Sequence, residues 1–220
     1  TKNQEANYKN LLAERQKHAA RIRAALFALR DTAAIPFGEA LAYATKAARE
    51  TGVRPALILA ILTQESNLGE NQGSCILSSL ETGDGVGKNT GASFEKVMKS
   101  PRDTTPFQNI TSRLSRDWKL TPVSCPLGAR YTSGRGYGGA MGPSQFIPST
   151  WELFKDRIGQ LVGLAGDRVD PWNPEQAIVA TALYLSDLGA SSGRYTAEIG
   201  AACKYYGTGG SSCSYGKQVL

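Results

Sequence analysis

The run Ala56-Leu-Ile-Leu-Ala-Ile-Leu62 is the longest apolar stretch in the chain, and it limits the fold more than any other feature. It is far too short to cross a bilayer, which takes about 18–20 apolar residues. Pro55 precedes it, and the first turn of a helix accepts a proline because the missing N–H would have no partner there. A helix from Pro55 to about Leu68 is therefore expected, with a buried stripe that only a folded body can cover. With 220 residues, 41% of them hydrophobic and 20% charged, the chain has the composition of an ordinary globular protein and enough length for its own core.

Proline and glycine divide the rest into segments. Residues 1–31 contain neither and read as one helix. Tyr8, Leu11, Leu12, Ile22, Leu26 and Leu29 give it an apolar stripe, interrupted by Arg15, His18 and Ala19. Lys2, Lys9, Arg15, Lys17, Arg21, Arg23 and Arg30 make it basic. Three readings stay open for it. It is the end of a coiled coil with a partner through residues 1–31, a helix lying on a membrane surface, or a helix packed on the body with a solvated cationic face. Ile35-Pro36 breaks it. A second helix runs from about Phe37 to Thr51, with Gly52 as its C-terminal cap.

Residues 71–91 are loop-like, and 92–120 show weak helical patterning around Phe94-Val97-Met98 and Ile110-Leu114-Trp118. Residues 121–144 are rich in glycine and proline, so irregular backbone is expected there. Helical patterns return at about 148–163, 174–188 and 195–206, and no stretch alternates as a strand would. The reading is all-α with long loops: an N-terminal basic helix over 1–34, then one domain over 35–220.

The chain holds 25 Lys and Arg against 19 Asp and Glu, a net charge of +6. That balance favours polyanions without choosing among nucleic acid, anionic lipid and acidic wall polymers. Nucleic-acid binding would rest on charge alone, since no stacking motif or known module accompanies it, and none is expected. His18 is the one histidine, so sites needing two are excluded, and its basic, polar surroundings read as surface. No metal and no cofactor are expected; Asp84 among glycines is the faintest hint of a calcium loop.

Cys75, Cys125, Cys203 and Cys213 include no C-x-x-C pair. An even set points to two disulfides and an oxidising compartment, against the alternative of four buried thiols in a cytosolic protein. Of the three pairings, Cys75–Cys125 with Cys203–Cys213 is favoured, because the second closes a short loop containing Gly207, Gly209 and Gly210. The chain opens Thr-Lys-Asn-Gln without the apolar core of a signal peptide, so it reads as a mature protein or an excised fragment.

Four segments carry candidate chemistry. In the first, Ile61 and Leu62 stand four and three residues before Glu65 and Leu68 three after it, which puts Glu65 on the buried stripe. Lost solvation raises a carboxyl pKa, and a carboxylic acid kept protonated toward neutral pH is what a general acid in glycoside cleavage requires. The structural alternative is a glutamate paired with a core arginine or capping a neighbouring helix.

The second is Tyr137-Gly-Gly-Ala-Met-Gly-Pro-Ser-Gln-Phe-Ile-Pro-Ser-Thr-Trp151. Its glycines permit a flat backbone beside Met141, Gln145 and Phe146, which suits a sugar-polymer groove or, more plainly, a turn into a helix. The third is Asp170-Pro-Trp-Asn-Pro-Glu-Gln-Ala-Ile, where Asn173 before Pro174 is a sound helix N-cap and Tyr184 follows on the core-facing side. The fourth holds Tyr205 and Tyr206 at a helix end, where a hydroxyl could meet a carboxyl or a sugar.

In this order and spacing the four segments resemble the lytic murein transglycosylases of bacterial cell walls, from about residue 37 to 220. The likeness is clearest in Gln64-Glu-Ser-Asn-Leu-Gly69, Gly139-Ala-Met-Gly-Pro-Ser-Gln-Phe-Ile-Pro-Ser-Thr-Trp151 and Asn173-Pro-Glu-Gln-Ala-Ile. The long segment after Glu65 looks most like the membrane-bound lytic transglycosylase B type. The resemblance implies a lysozyme-like helical fold, Glu65 as the single acid/base, and peptidoglycan glycan strands as the partner. It implies that Met141, Ser144, Gln145 and Phe146 line the groove and that Tyr205 sits near Glu65. Ser66, Tyr137, Tyr184 and Tyr206, on the same segments, complete the set of substrate-binding candidates.

Where the family has Tyr-Asn-Ala-Gly, this chain has Tyr205-Tyr-Gly-Thr, so no role of that asparagine carries over. The implied location is extracytoplasmic: periplasm, cell envelope or secreted. The implied reaction cuts the β-1,4 bond between N-acetylmuramic acid and N-acetylglucosamine with formation of a 1,6-anhydro ring. The alternatives are a lysozyme-type hydrolase, whose second carboxylate would come from Glu81, Asp84, Asp167 or Asp170, and a catalytically idle wall-binding scaffold.

Overall fold

The computed structural model describes residues 2–31, 33–126, 136–208, 210 and 212–220. Helix α1 spans Lys2–Asp31, α2 Phe37–Thr51 and α3 Pro55–Ser66. A small sheet follows, with β1 at Cys75–Leu77, β2 at Gly85–Gly87 and β3 at Ser93–Phe94. The remaining helices are α4 at Thr104–Arg113, α5 at Pro148–Val162, α6 at Pro174–Asp187, α7 at Tyr195–Tyr205 and α8 at Ser214–Val219. Short 3-10 turns lie at Trp118–Leu120, Gly166–Arg168 and Ala190–Ser192. The predominance of helix agrees with the helical class expected from the sequence.

Local signals set most of these boundaries. A proline occupies the first turn of α3, α5 and α6, where its fixed φ is already helical. Asn173 caps α6 by accepting a hydrogen bond from the Gln176 N–H at 3.2 Å. Gly52 and Gly163 end α2 and α5 in the left-handed conformation, and Asn67 ends α3 the same way.

Helix α6 is the centre of the body. Residues 176–183 and Leu185 are all buried. Helices α2, α3, α5 and α7 pack around it. Helix α2 offers Ala40, Ala44 and Ala47, three buried small residues one turn apart that let helices approach closely. Helix α3 contributes Leu57, Ile58, Ile61 and Leu62, and α5 contributes Trp151, Phe154 and Ile158. Arg54, ahead of α3, pairs with the fully buried Glu198 of α7 through two hydrogen bonds of 2.7 and 2.5 Å.

The sheet corrects the expectation that no strand is present. Its order is β1-β2-β3, antiparallel, with Ile76 opposite Val86 and Gly85 opposite Phe94. Strands of two or three residues are too short for an alternating pattern to register. Phe94, taken into the weak helical pattern, is therefore in β3, and the helix of that region is α4, ten residues later. Helix α8 was not anticipated from the sequence.

Both disulfides are formed, Cys75–Cys125 and Cys203–Cys213, as the loop argument favoured. Gly209, counted in that argument, lies outside the described residues.

Helix α1 meets the body near its C-terminal end. The Arg116 guanidinium is buried between the rings of Phe27 and Trp172, 4.1 Å from each centroid, and pairs with Asp31 at 2.8 Å. Earlier in the helix, Tyr8, Leu11, Leu12, Ile22 and Leu26 are exposed. The side chains of Lys2, Leu29 and Arg30 lie outside the described ones. Among the described residues no helix is long and apolar enough to cross a membrane.

The glycine-rich segment is fixed by close approach rather than left loose. Gly142 has φ +61°, and a Cβ there would sit 2.0 Å from the Pro171 carbonyl oxygen. Gly163 has a similar φ of +74° with open space around it. Gly142→Ala should therefore cost both left-handed strain and a backbone clash, ~3 kcal/mol in all, whereas Gly163→Ala should cost the strain alone, ~1 kcal/mol. Urea unfolding of the two variants measures the difference, and equal losses would contradict the packing described.

Candidate active site

Glu65 lies in the last turn of α3, one turn beyond the buried Ile61 and Leu62. Its carboxyl group is half-buried. Burial raises its pKa above the ordinary carboxylate value, and a hydrogen bond from the Tyr215 hydroxyl opposes part of that rise. Tyr215 donates to Oε1 at 2.5 Å. Burial, the Glu65 charge and this bond together push the Tyr215 pKa far upward, so its hydroxyl stays a donor. Tyr206 stacks on Tyr215 with ring centroids 4.5 Å apart and planes 15° from parallel.

Gln64, Glu65, Tyr206, Ser214, Tyr215 and Gln218 line one open pocket. Glu65 is the one carboxylate in that lining. The exposed Tyr206, stacked on the buried Tyr215 beside polar amides and a hydroxyl, is a surface on which a sugar ring can rest one face and hydrogen-bond its edge.

The Gly-Ala-Met-Gly-Pro-Ser-Gln-Phe segment forms the wall behind Glu65. The Ser66 hydroxyl donates its proton to the Pro143 carbonyl at 2.7 Å, with the Leu62 carbonyl 3.2 Å away, and accepts from the Gly69 N–H at 2.9 Å. Ser66 is thus buried, and it ties the end of α3 to this segment. Tyr205 donates to the Ser144 carbonyl at 2.7 Å and shares a 3.3 Å contact with the Thr181 hydroxyl. It lies near enough to feel the Glu65 charge, yet its hydroxyl is engaged elsewhere.

The other expected residues divide by exposure. Met141 and Ser144 have no exposed surface, and Phe146 has 3%. Phe146 packs edge-on to Tyr184 at 5.5 Å and lies 5.9 Å from Tyr205. Expected as groove lining, Met141, Ser144 and Phe146 are instead buried in the wall, and the rings of Trp151, Phe154, Tyr184 and Tyr205 surround Phe146. Gln145 is partly exposed, with its side-chain amide donating to the Gly142 carbonyl at 2.8 Å. Tyr184 is part of the aromatic cluster, and Tyr137 is 42% exposed on the preceding loop.

None of the four carboxylates weighed as a second catalytic group lines the Glu65 pocket. Glu81 lines a separate pocket with Ser100 and Thr104. Asp84 accepts the Lys96 N–H at 3.0 Å, and Asp167 pairs with Lys155 at 2.6 Å. Asp170 accepts the Trp172 N–H at 2.8 Å and faces Arg116 at 3.6 Å. Among the described residues no three His, Cys, Asp or Glu side chains cluster to hold a metal ion.

Tyr215 was missed by the sequence reasoning. A signal existed: Cys213 stands two residues before it and, once paired with Cys203, draws it back toward Tyr205 and Tyr206.

No protein-family model matches the chain, and no curated protein matches it. Among solved structures it is similar to the Escherichia coli lytic transglycosylase Slt35 in complex with bulgecin A, at 22% identity and a TM-score of 0.42. The match covers 76% of this chain and 43% of that one, so the chain spans less than half of that neighbour's length. At this distance no residue role passes from one protein to the other.

The raised Glu65 pKa has a consequence for stability. The folded state holds the proton more tightly than the unfolded chain. The stabilisation is therefore complete below the ordinary carboxylate range and is lost as pH rises through the folded-state pKa. Glu65→Gln cannot ionise. Its melting temperature should exceed the wild-type value at pH 7, with the gap closing on acidification. A gap independent of pH, read by calorimetry across pH 4–7, would contradict the burial argument.

Proposed function

We propose that this chain is a lytic transglycosylase, cleaving the β-1,4 bond between N-acetylmuramic acid and N-acetylglucosamine in peptidoglycan and leaving a 1,6-anhydromuramic end. The observation that carries the reading is the single carboxyl group of the pocket. Glu65 is half-buried, its pKa is raised by that burial, and no second carboxylate lines the site with it.

The chemistry follows from those properties. Protonated Glu65 gives its proton to the glycosidic oxygen as the C1–O bond breaks, and the leaving sugar departs as an alcohol. The carboxylate then accepts the proton of the muramyl C6 hydroxyl. That oxygen attacks C1 of the same sugar and closes the anhydro ring. Glu65 ends protonated as it began, and no water is consumed. The substrate's own N-acetyl group can share the positive charge at C1. One carboxyl group suffices because the nucleophile is built into the substrate. A hydrolase using two carboxyl groups needs them ~5–10 Å apart across the bond. None of the four candidates for that partner is found in the pocket lining.

The pattern of residues supports the same reading, since the box around Ser144 and the helix carrying Glu65 are brought together through Ser66 and Pro143. Two disulfides support an extracytoplasmic location, where such bonds persist. The net charge of +6 suits an anionic wall polymer.

Mass spectrometry of muropeptides released from purified peptidoglycan tests the reaction. Wild-type products should be one water lighter than lysozyme products. Glu65→Gln should release them at least ~100-fold more slowly, the usual contribution of a general acid. Reducing-end products would make the protein a hydrolase. Sedimentation with insoluble peptidoglycan and no release by the wild type would make it a binding scaffold.

A further inference from the structure

Of the two oxygens of the Glu65 carboxyl group, one is taken. Oε1 accepts the Tyr215 hydroxyl, so a proton carried by the acid resides on Oε2. Tyr215 thereby decides which oxygen faces the scissile bond with a proton to give. Its own position needs explaining, because α8 is a six-residue helix and a helix that short does not hold itself together in water.

Four contacts hold it. The Cys203–Cys213 bridge joins α7 to the residue just ahead of α8. The Cys213 sulfur accepts the Gly216 N–H at 3.2 Å, capping the helix start. Gly216 lies so close to α7 that a Cβ would come within 2.7 Å of the Cys203 sulfur and 2.8 Å of the Ile199 carbonyl oxygen. Tyr206, the residue just past the end of α7, then stacks flat on the Tyr215 ring.

We propose that Tyr215 is the positioning residue of the Glu65 carboxyl group and that the Cys203–Cys213 bridge is what seats it there. The proposal rests on reading Glu65 as the acid of the site. The bridge acts at a distance from the substrate: it anchors α8, α8 presents Tyr215, and Tyr215 both orients Glu65 and screens it from water.

Two changes pull Glu65 in opposite directions. Tyr215→Phe keeps the ring and its screening but removes the donor that favours the carboxylate, so Glu65 should titrate at higher pH than in the wild type. Replacing both cysteines (Cys203→Ser with Cys213→Ser) frees α8 and lets water reach Glu65. Burial is the larger influence on this group, so its titration should move down toward the ordinary carboxylate range. Carbon-13 NMR of the glutamate carboxyl groups reads both midpoints, with Glu65→Gln identifying the signal. Gly216→Ala, which crowds α8 off α7 while leaving the bridge covalently intact, should move it downward as well.

In turnover of peptidoglycan the alkaline limb of kcat/KM should follow the same three shifts, and kcat should fall about tenfold or more in each variant. A Tyr215→Phe protein with the wild-type midpoint and limb would reduce Tyr215 to packing and overturn the proposal. A paired cysteine variant that titrates like the wild type would overturn the role of the bridge. The carboxyl titration needs no turnover. Opposite shifts in an inactive wild type would uphold the seating while removing the reaction, and unmoved midpoints in an active enzyme would do the reverse.

Discussion

Glu65 is held where a carboxylate is disfavoured. Helix α3 buries Ile61 and Leu62 in the turn before it, and the Tyr215 hydroxyl meets one oxygen of the carboxyl group. Water that would solvate the negative charge is kept back, and one tyrosine hydroxyl restores part of what is lost. The remaining deficit holds the Glu65 proton to higher pH than the ordinary carboxylate value. The stability it withholds from the folded chain and the proton-donor role proposed for it have the same origin.

The rest of the structure keeps that arrangement from relaxing. The apolar helix cannot turn Glu65 outward without exposing Leu57, Ile58, Ile61 and Leu62, which pack toward the largely buried α6. Ser66 fixes the end of α3 to the Pro143 carbonyl, and Gly142 fixes the same segment against the Pro171 carbonyl. Tyr205 closes the circuit by donating to Ser144 from the end of α7. Three elements far apart in sequence thus share one wall, and the buried Met141, Ser144 and Phe146 are its filling.

Much of this was legible before any coordinates. The apolar spacing of α2, α3, α5, α6 and α7, punctuated by Pro55, Pro148, Pro174, Gly52 and Gly163, fixed their extents to within a residue or two. The placement of Glu65 on the buried side followed from Ile61, Leu62 and Leu68 alone. What escaped depended on contacts distant in sequence. Strands of two and three residues carry no period to read. Whether Phe146 or Met141 faces a groove or a core depends on Tyr184, Tyr205 and Phe154, which arrive from other helices. Helix α8 has no apolar stripe of its own, and Tyr215 reaches Glu65 across 150 residues only because Cys213 is tied to Cys203. The Arg116 contact that docks the end of α1 likewise joins Phe27, Asp31 and Trp172, which no local pattern links.

The account stands on Glu65 being a carboxyl group whose proton is retained by burial. The most direct test is the titration of its side-chain carboxyl carbon in the wild-type protein. A midpoint for Glu65 above the ordinary carboxylate value is the predicted result. A midpoint at that value, or below it, would mean that the site does not hold its acid protonated, and the mechanism built on it would fall.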